Sequence, residues 1–363
     1  MRCETKWIDS FKGIAILSVM LIHYSIGDIT NELFTRVVNS GAKGVQLFFI
    51  ISAYLIFWSL DRNEVKGIKQ SLQWIFRKIL KLMPLYYVGM IVHLLVLDGS
   101  SYWLGSLPGV SALNILSHVL FLHGFYPYFC NSILNVEWYI GVLTMLYIIA
   151  PLLHKYIKGL HQAVCVFLIT LVLGNYLPLL ENYSLIPDKY VWGNFVGNFN
   201  ILAQAPAINF GVVLYFFLNS KRYDGTEITR LKGNWKISCF VLIFSLFVIY
   251  RLIEGSSFYG LSQLGLWSIA FGGVIISQVI YENKLICNPF FAWIGRYSYG
   301  IYLFHYLLIM KIPKLAIGNR YLSWIFNYTI ILALSLSLSM LLTYIQNMIS
   351  REAGVLWRRK KET

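Results

Sequence analysis

Apolar residues run in long stretches along almost the whole chain, separated by short polar and basic segments. Most of these stretches approach 20 residues, which an α-helix needs to cross a hydrocarbon layer of roughly 30 Å. A spanning segment must satisfy its own backbone hydrogen bonds, and the ten-residue alternation typical of a transmembrane barrel does not occur. The pattern therefore predicts an all-α polytopic membrane protein.

The stretches predict about ten transmembrane helices within a single integral-membrane domain over residues 1–363. Residues 111–124 are apolar but short and contain two histidines. They could cross the membrane, re-enter it or lie in its interface. The ten predicted spans are 10–27, 41–60, 84–98, 136–154, 160–180, 201–218, 237–254, 259–281, 291–311 and 321–347.

Composition supports this class, because 58% of the residues are hydrophobic and only 13% are charged. The net charge of +14 could indicate nucleic-acid binding. The basic residues lie in short loops, however, and no basic stripe with interleaved aromatic residues occurs, so we expect no nucleic-acid partner. The five cysteines are scattered without metal-ligand spacing, which predicts neither a disulfide framework nor a metal site.

The distribution of basic residues predicts the orientation. If residues 111–124 do not cross, both termini are cytoplasmic and all but seven of the 30 lysines and arginines lie in cytoplasmic segments. This asymmetry favours ten spans in a plasma (bacterial inner) membrane, because cytoplasmic loops are enriched in positive charge. The seven exceptions are Arg36, Lys43, Lys189, Arg251, Lys311, Lys314 and Arg320.

The longest cytoplasmic connection, residues 61–84, predicts an amphipathic helix. Its apolar residues recur at helical spacing between basic ones, which is typical of a helix lying on the anionic inner leaflet. Membrane lipids are therefore expected partners. The apolar residues are Ile68, Leu72, Ile75, Phe76, Ile79 and Leu80.

Lys12 and His23 lie on one face of the first predicted helix. They are eleven residues apart, which is within roughly 20° of three full turns and about 16 Å along the axis. An ionisable group at the depth of His23 is costly unless it faces protein or water, so it is a candidate functional residue. The alternative is structural: His23 bonds a neighbouring helix, and Lys12 extends to the headgroups.

A second polar face occurs in the stretch 293–309, where Ser298, Tyr302 and His305 are spaced i, i+4 and i+7. His305 is expected at a depth similar to that of His23. Two histidines at one level predict a shared interior cavity, and the alternative is an interhelical hydrogen-bond cluster.

Three cations, Arg77, Lys78 and Lys81, precede Pro84, which we expect to begin the next span. Such a group could hold the phosphates of a soluble cofactor. The alternative is binding of lipid headgroups together with a topological role.

Taken in order, these segments resemble the acyltransferase 3 family of membrane acyltransferases, which O-acylate glycans and other acceptors. The resemblance covers most of the chain. Lys12, Lys78 and Lys81 stand where that family usually has arginine, Ala53 replaces a glycine, and Leu143 replaces a common glutamate. The matching motifs are "WIDSFKGIAILSVMLIHYS", "GVQLFFIISAYLIFWSL", "RKILKLMPLYY", "WYIGVLTMLYIIAPLL" and "IGRYSYGIYLFH".

The resemblance implies transfer of an acyl group, expected to be acetyl, from cytoplasmic acyl-CoA to a hydroxyl of a glycan or lipid-linked sugar, without a metal. His23 would act as the base or as an acyl carrier. The implied site has a catalytic group, His23, Lys12, His305 and Tyr302, and a cofactor-binding group, Arg77, Lys78 and Lys81.

Two other functions remain open from the sequence. A transporter or flippase could use the same intramembrane histidines and lysines as a substrate or proton path. A non-catalytic partner in polysaccharide assembly is the third hypothesis, supported by the departures from the family pattern. The sequence leaves the oligomeric state open.

Overall fold

The computed structural model describes residues 6–24, 31–97, 110–219 and 231–362, with side chains up to residue 348. The predicted spans 10–27 and 84–98 extend into residues 25–27 and 98, which lie outside this part. Regular structure in the described residues is helical. The helices are α1 (Lys6–His23), α2 (Glu32–Ser40), α3 (Gly44–Arg62), α4 (Gly67–Val96), α5 (Ala112–Val119), α6 (Trp138–Tyr156), α7 (Leu160–Leu173), α8 (Lys189–Gly197), α9 (Ile201–Leu218), α10 (Trp235–Ile253), α11 (Gln263–Ile280), α12 (Pro289–Arg296), α13 (Ser298–Lys311) and α14 (Arg320–Glu362), with 3₁₀ turns at Gly41–Lys43, His123–Phe125 and Leu177–Asn182.

Seven helical segments of the described chain are long and apolar enough to cross a membrane, by length and composition. This confirms an all-α integral membrane protein. The other predicted spans fall on α1, on the 14-residue helix α7 and on α12 followed by the 14-residue helix α13. The seven segments are Glu32–Arg62, Gly67–Val96, Trp138–Tyr156, Lys189–Leu218, Trp235–Ile253, Gln263–Ile280 and Arg320–Met348.

Helix α4 corrects one prediction. It continues unbroken from Gly67 to Val96, so Pro84 lies inside the helix and does not begin it. Proline removes one backbone donor, but in an apolar environment the remaining backbone groups are best satisfied by continuing the helix. The predicted amphipathic segment is therefore the first part of α4, and its residues Ile68, Leu72 and Phe76 are exposed.

The segment 111–124 forms the short helix α5 and the turn His123–Phe125. The eight residues of α5 extend only about 12 Å, which is too short for a helical crossing. Between the two elements, the buried Phe121 has a φ of 58°. This segment packs against the beginning of α6.

The centre of the bundle positions the candidate site. Helix α1 packs closely on α12, because glycines meet the backbone of the opposite helix in both directions. A Cβ atom at Gly13 would lie 2.1 Å from the carbonyl oxygen of Phe291, and one at Gly295 would lie 1.8 Å from that of Asp9. Any side chain at these positions would force the helices apart. We name the two ends of the bundle by α1: the Lys12 end and the His23 end.

At the Lys12 end, polar side chains join three central helices. His154 Nε2 of α6 lies 2.9 Å from Asp61 Oδ1 of α3, and Tyr215 of α9 donates to the other carboxylate oxygen. These contacts hold the helix ends together on the side where α1 begins.

Candidate functional site

A cavity of about 430 Å³ lies between α1, α3, α4, α6, α12 and α13. Charged residues line it at the Lys12 end: Asp9 and Lys12 of α1, Lys78 of α4 and Arg296 of α12. Arg296 is exposed, whereas the other three side chains are partly buried. Three cations against one carboxylate make this part of the cavity suitable for a multiply charged anion.

The cations are held in different ways. Lys12 Nζ lies 3.7 Å from Asp9 Oδ1, one helical turn away. Lys78 Nζ lies 5.1 Å from the ring centroid of Trp74, close enough for a cation–π contact. Trp74 is buried and donates to Ser59 Oγ at 3.0 Å, so the indole ring that Lys78 contacts is held in place.

Hydroxyl groups line the cavity towards the His23 end. Ser52 Oγ of α3 and Tyr139 OH of α6 are 2.9 Å apart. The ring of Tyr139 lies 5.6 Å from that of Tyr302 on α13, centroid to centroid. The Tyr302 hydroxyl donates to the carbonyl of Val136. The cavity therefore changes from a cationic region to a layer of hydroxyl groups.

The two predicted histidines are in direct contact. His23 Nδ1 lies 3.0 Å from His305 Nε2. His305 is fully buried, and its Nδ1 faces the carbonyl oxygens of Tyr302 at 2.8 Å and Ile301 at 3.1 Å. Because a carbonyl can only accept, His305 Nδ1 carries a proton, and a neutral His305 presents Nε2 as an acceptor. The proton between the rings then belongs to His23 Nδ1, which leaves a lone pair on His23 Nε2.

The histidine pair adjoins the cavity without lining it. Tyr302 lines the cavity, and its ring centroid is 6.0 Å from that of His305. The structure thus places Lys12, Lys78 and Tyr302 at the cavity and His23 with His305 directly behind Tyr302.

Two of the predicted cations lie elsewhere. Arg77 and Lys81 are exposed and do not line the cavity. Arg77 Nε donates to the carbonyl of Gln73 at 3.2 Å on its own helix. Only Lys78 of the three points to the side of α4 that the neighbouring helices enclose.

Arg296, Ser52 and Tyr139 line the cavity but were not predicted as site residues from the sequence. Arg296 is a charged residue within the polar-faced stretch 293–309, and that signal could have identified it. Ser52 and Tyr139 lie in long apolar stretches, and their pairing depends on how α3 and α6 meet. Among the described residues, no group of three or more His, Cys, Asp or Glu side chains is placed to hold a metal ion.

Known proteins resemble this chain over most of its length. Peptidoglycan O-acetyltransferase OatA of Listeria monocytogenes is 27% identical over 338 residues, covering 85% of this chain and 50% of the relative. The putative peptidoglycan O-acetyltransferase YrhL of Bacillus subtilis is 24% identical over 334 residues, covering 86% and 50%. A putative acetyltransferase, ORF330, of Acidianus two-tailed virus is 23% identical over 312 residues, covering 83% and 82%.

The chain spans about half the length of the two peptidoglycan O-acetyltransferases it matches. Residues 5–344 match the sequence pattern of the acyltransferase 3 family, which is described as an acyltransferase domain. The match includes the cavity residues and both histidines. The chain therefore belongs to the acyltransferase 3 family.

Proposed function

We propose that the protein transfers an acetyl group from cytoplasmic acetyl-CoA to a hydroxyl of a glycan or lipid-linked sugar. The observation that carries this proposal is the 3.0 Å contact between His23 and His305 behind a cavity with cations at its other end. The names of the relatives support acetyl as the acyl group and a cell-wall glycan as the acceptor. Family membership does not favour the transporter hypothesis.

The proposed topology has ten spans with both termini in the cytoplasm. It adds α1, α7 and the pair α12–α13 to the seven long apolar segments. The Lys12 end then faces the cytoplasm, in agreement with the excess of basic residues in the segments on that side. The first part of α4 would lie at the inner leaflet, with Ile68, Leu72 and Phe76 in lipid.

In this orientation the cationic part of the cavity receives the polar end of the donor. Arg296 offers the planar fork of donors that binds a phosphate bidentately, and Lys12 and Lys78 add point charges. The phosphates at this end would direct the thioester towards Tyr139 and Tyr302.

The reaction we propose at the deep end requires removal of one proton. The acceptor oxygen attacks the thioester carbonyl, and its proton passes to His23 Nε2. The carbon–sulfur bond then breaks, and the CoA thiolate takes up the proton. Tyr139 is placed to donate to the oxyanion that forms between these steps, because Ser52 can be the donor in their mutual hydrogen bond.

A second route uses His23 as an acyl carrier. His23 Nε2 would attack the thioester, release CoA and later pass the acetyl group to the acceptor. Both routes require the lone pair of His23 Nε2, and in both the acetyl group has to pass beside Tyr302 to reach the histidine pair.

Acceptor-dependent release of CoA tests the function. We expect the purified protein in lipid vesicles to convert acetyl-CoA into CoA thiol when a cell-wall glycan is supplied, with label from the acetyl group appearing on the glycan. Accumulation of the glycan inside sealed vesicles without CoA release would contradict the proposal and indicate transport. If CoA is not released and the glycan does not accumulate, the result would indicate a non-catalytic partner.

The placement of Lys78 and Lys81 gives a matched pair of variants. We expect Lys78→Ala to raise the KM for acetyl-CoA about tenfold, because it removes a partly buried charge from the cavity. Lys81→Ala should change that KM less than about twofold, because an exposed charge is screened by solvent and salt. Equal effects of the two substitutions would contradict the proposed donor site.

A further inference from the structure

A buried carboxylate outside the proposed reaction site is held by an unusually complete set of partners. Glu137 immediately precedes α6 and is fully buried. Its Oε1 accepts from the amide of Ile133 at 2.7 Å and faces His118 Nε2 at 3.2 Å. Its Oε2 accepts from the amide of Val136 at 3.0 Å. The carboxylate thus ties its own preceding loop into a closed turn.

His118 is the side-chain partner of Glu137. Its Nδ1 lies 2.9 Å from the carbonyl of Asn114, which can only accept. Its Nε2 faces the Glu137 carboxylate, so both ring nitrogens point at acceptors. Removing one partner from such a fully buried pair leaves the other uncompensated.

His123 covers this pair. Its ring is stacked on His118 with centroids 4.4 Å apart and planes at 11°, and its Nε2 donates to the Glu137 carbonyl at 3.3 Å. Burial, reinforced by the adjacent His118, lowers the pKa of His123 to about 3, so this imidazole is neutral. The turn of His123 fits on α6 because Gly124 and Gly141 meet without side chains.

The same loop holds Tyr302. Val136, whose amide is bonded to Glu137, uses its carbonyl to accept from the Tyr302 hydroxyl. Asn135 precedes it with a φ of 62°, a conformation that needs support from its surroundings. Tyr302 in turn stands between the cavity and His305. The position of one carbonyl therefore affects the boundary between cavity and histidine pair.

We propose that Glu137, held by His118 and His123, is a positioning residue for acyl transfer, because it fixes the Val136 carbonyl that holds the Tyr302 hydroxyl. The catalytic contribution rests on the proposed function. The structural link consists of the hydrogen bonds from Glu137 to Val136 and from Val136 to Tyr302. It does not depend on the reaction and can be measured separately.

A double-mutant cycle tests the link. We expect Glu137→Gln to lower kcat at least about tenfold while the KM for acetyl-CoA stays within about twofold, because the donor cations are untouched. On a Tyr302→Phe background, which lacks the hydroxyl, the same substitution should lower kcat less than about twofold further. If Glu137→Gln does not accumulate in the membrane, His118→Gln, which keeps both amide bonds to Glu137, takes its place in the cycle.

Asp61→Asn is the matched control, since it alters a carboxylate–imidazole pair at the Lys12 end, away from Tyr302. Any effect of this substitution on kcat should be the same with and without the Tyr302 hydroxyl. Equal losses from Glu137→Gln in both backgrounds, or no loss in either, would overturn the proposal.

Thermal unfolding separates this inference from the proposed function. It compares the wild type, Glu137→Gln, Tyr302→Phe and the protein with both substitutions. If wild-type protein releases no CoA from acetyl-CoA, the donor proposal fails. The midpoints of unfolding then test the link. A shift in the double variant that is smaller than the sum of the shifts in Glu137→Gln and Tyr302→Phe supports it. A shift in the double variant that equals this sum overturns the link.

Discussion

His23→Ala is expected to lower kcat for acetyl transfer by about 10²–10⁴-fold, the usual contribution of a positioned general base. The acceptor proton would have no recipient at the end of the cavity, and the carrier route would also lose its nucleophile. The measurement is transfer of labelled acetyl from acetyl-CoA to a glycan acceptor, with the amount of folded protein in the membrane determined in parallel.

The control for this substitution is His161→Ala, which removes an exposed histidine on α7. It should transfer acetyl groups at the wild-type rate. A His23→Ala protein that folds and keeps wild-type turnover would remove His23 from the mechanism under both routes.

Replacing His305 should separate its orienting role from simple packing. We expect His305→Leu to lower kcat by about 10²-fold or more, because His23 Nδ1–H then has no acceptor and Nε2 is no longer kept free for the substrate. His305→Gln should recover part of the loss, since its amide oxygen can accept the same proton. Kinetics of both variants at one acetyl-CoA concentration series give kcat and KM separately.

The comparison of these two variants is the informative result. Equal and complete loss in both would indicate that His305 itself takes part in proton transfer. Wild-type kcat in both would contradict the claim that the contact with His305 sets the state of His23.

Long apolar stretches were enough to predict an all-α membrane protein and to place His23 and His305 at a similar level, but the predicted span 291–311 is two helices, α12 and α13. Both follow from the length and boundaries of apolar stretches, which are local features. Whether two side chains at one level touch depends on the approach of α1 and α13, and the structure supplies the 3.0 Å contact. The prediction that Pro84 begins a helix was wrong, because the local preference of proline for helix starts was outweighed by the backbone's need for continuous hydrogen bonding in lipid.

The candidate site was predictable only in part, for a similar reason. Lys78 and Lys81 differ by three residues and look equivalent in the sequence, but only one faces the cavity. Neighbouring helices decide which side of α4 is enclosed. Glu137 could be noticed in the sequence, yet its partners lie on the short helix α5 (His118) and in the irregular loop before α6 (Ile133), and no periodicity places them beside it.

The central claim is that a donor bound among the cations delivers its acetyl group to the histidine pair behind Tyr302. An experimental structure of the protein with an unreactive thioether analogue of acetyl-CoA tests this most directly. We predict the phosphates at Lys12, Lys78 and Arg296, and the acetyl carbonyl at Tyr302 within reach of His23. An analogue bound with its acetyl end away from Tyr302, or outside the cavity, would contradict the account.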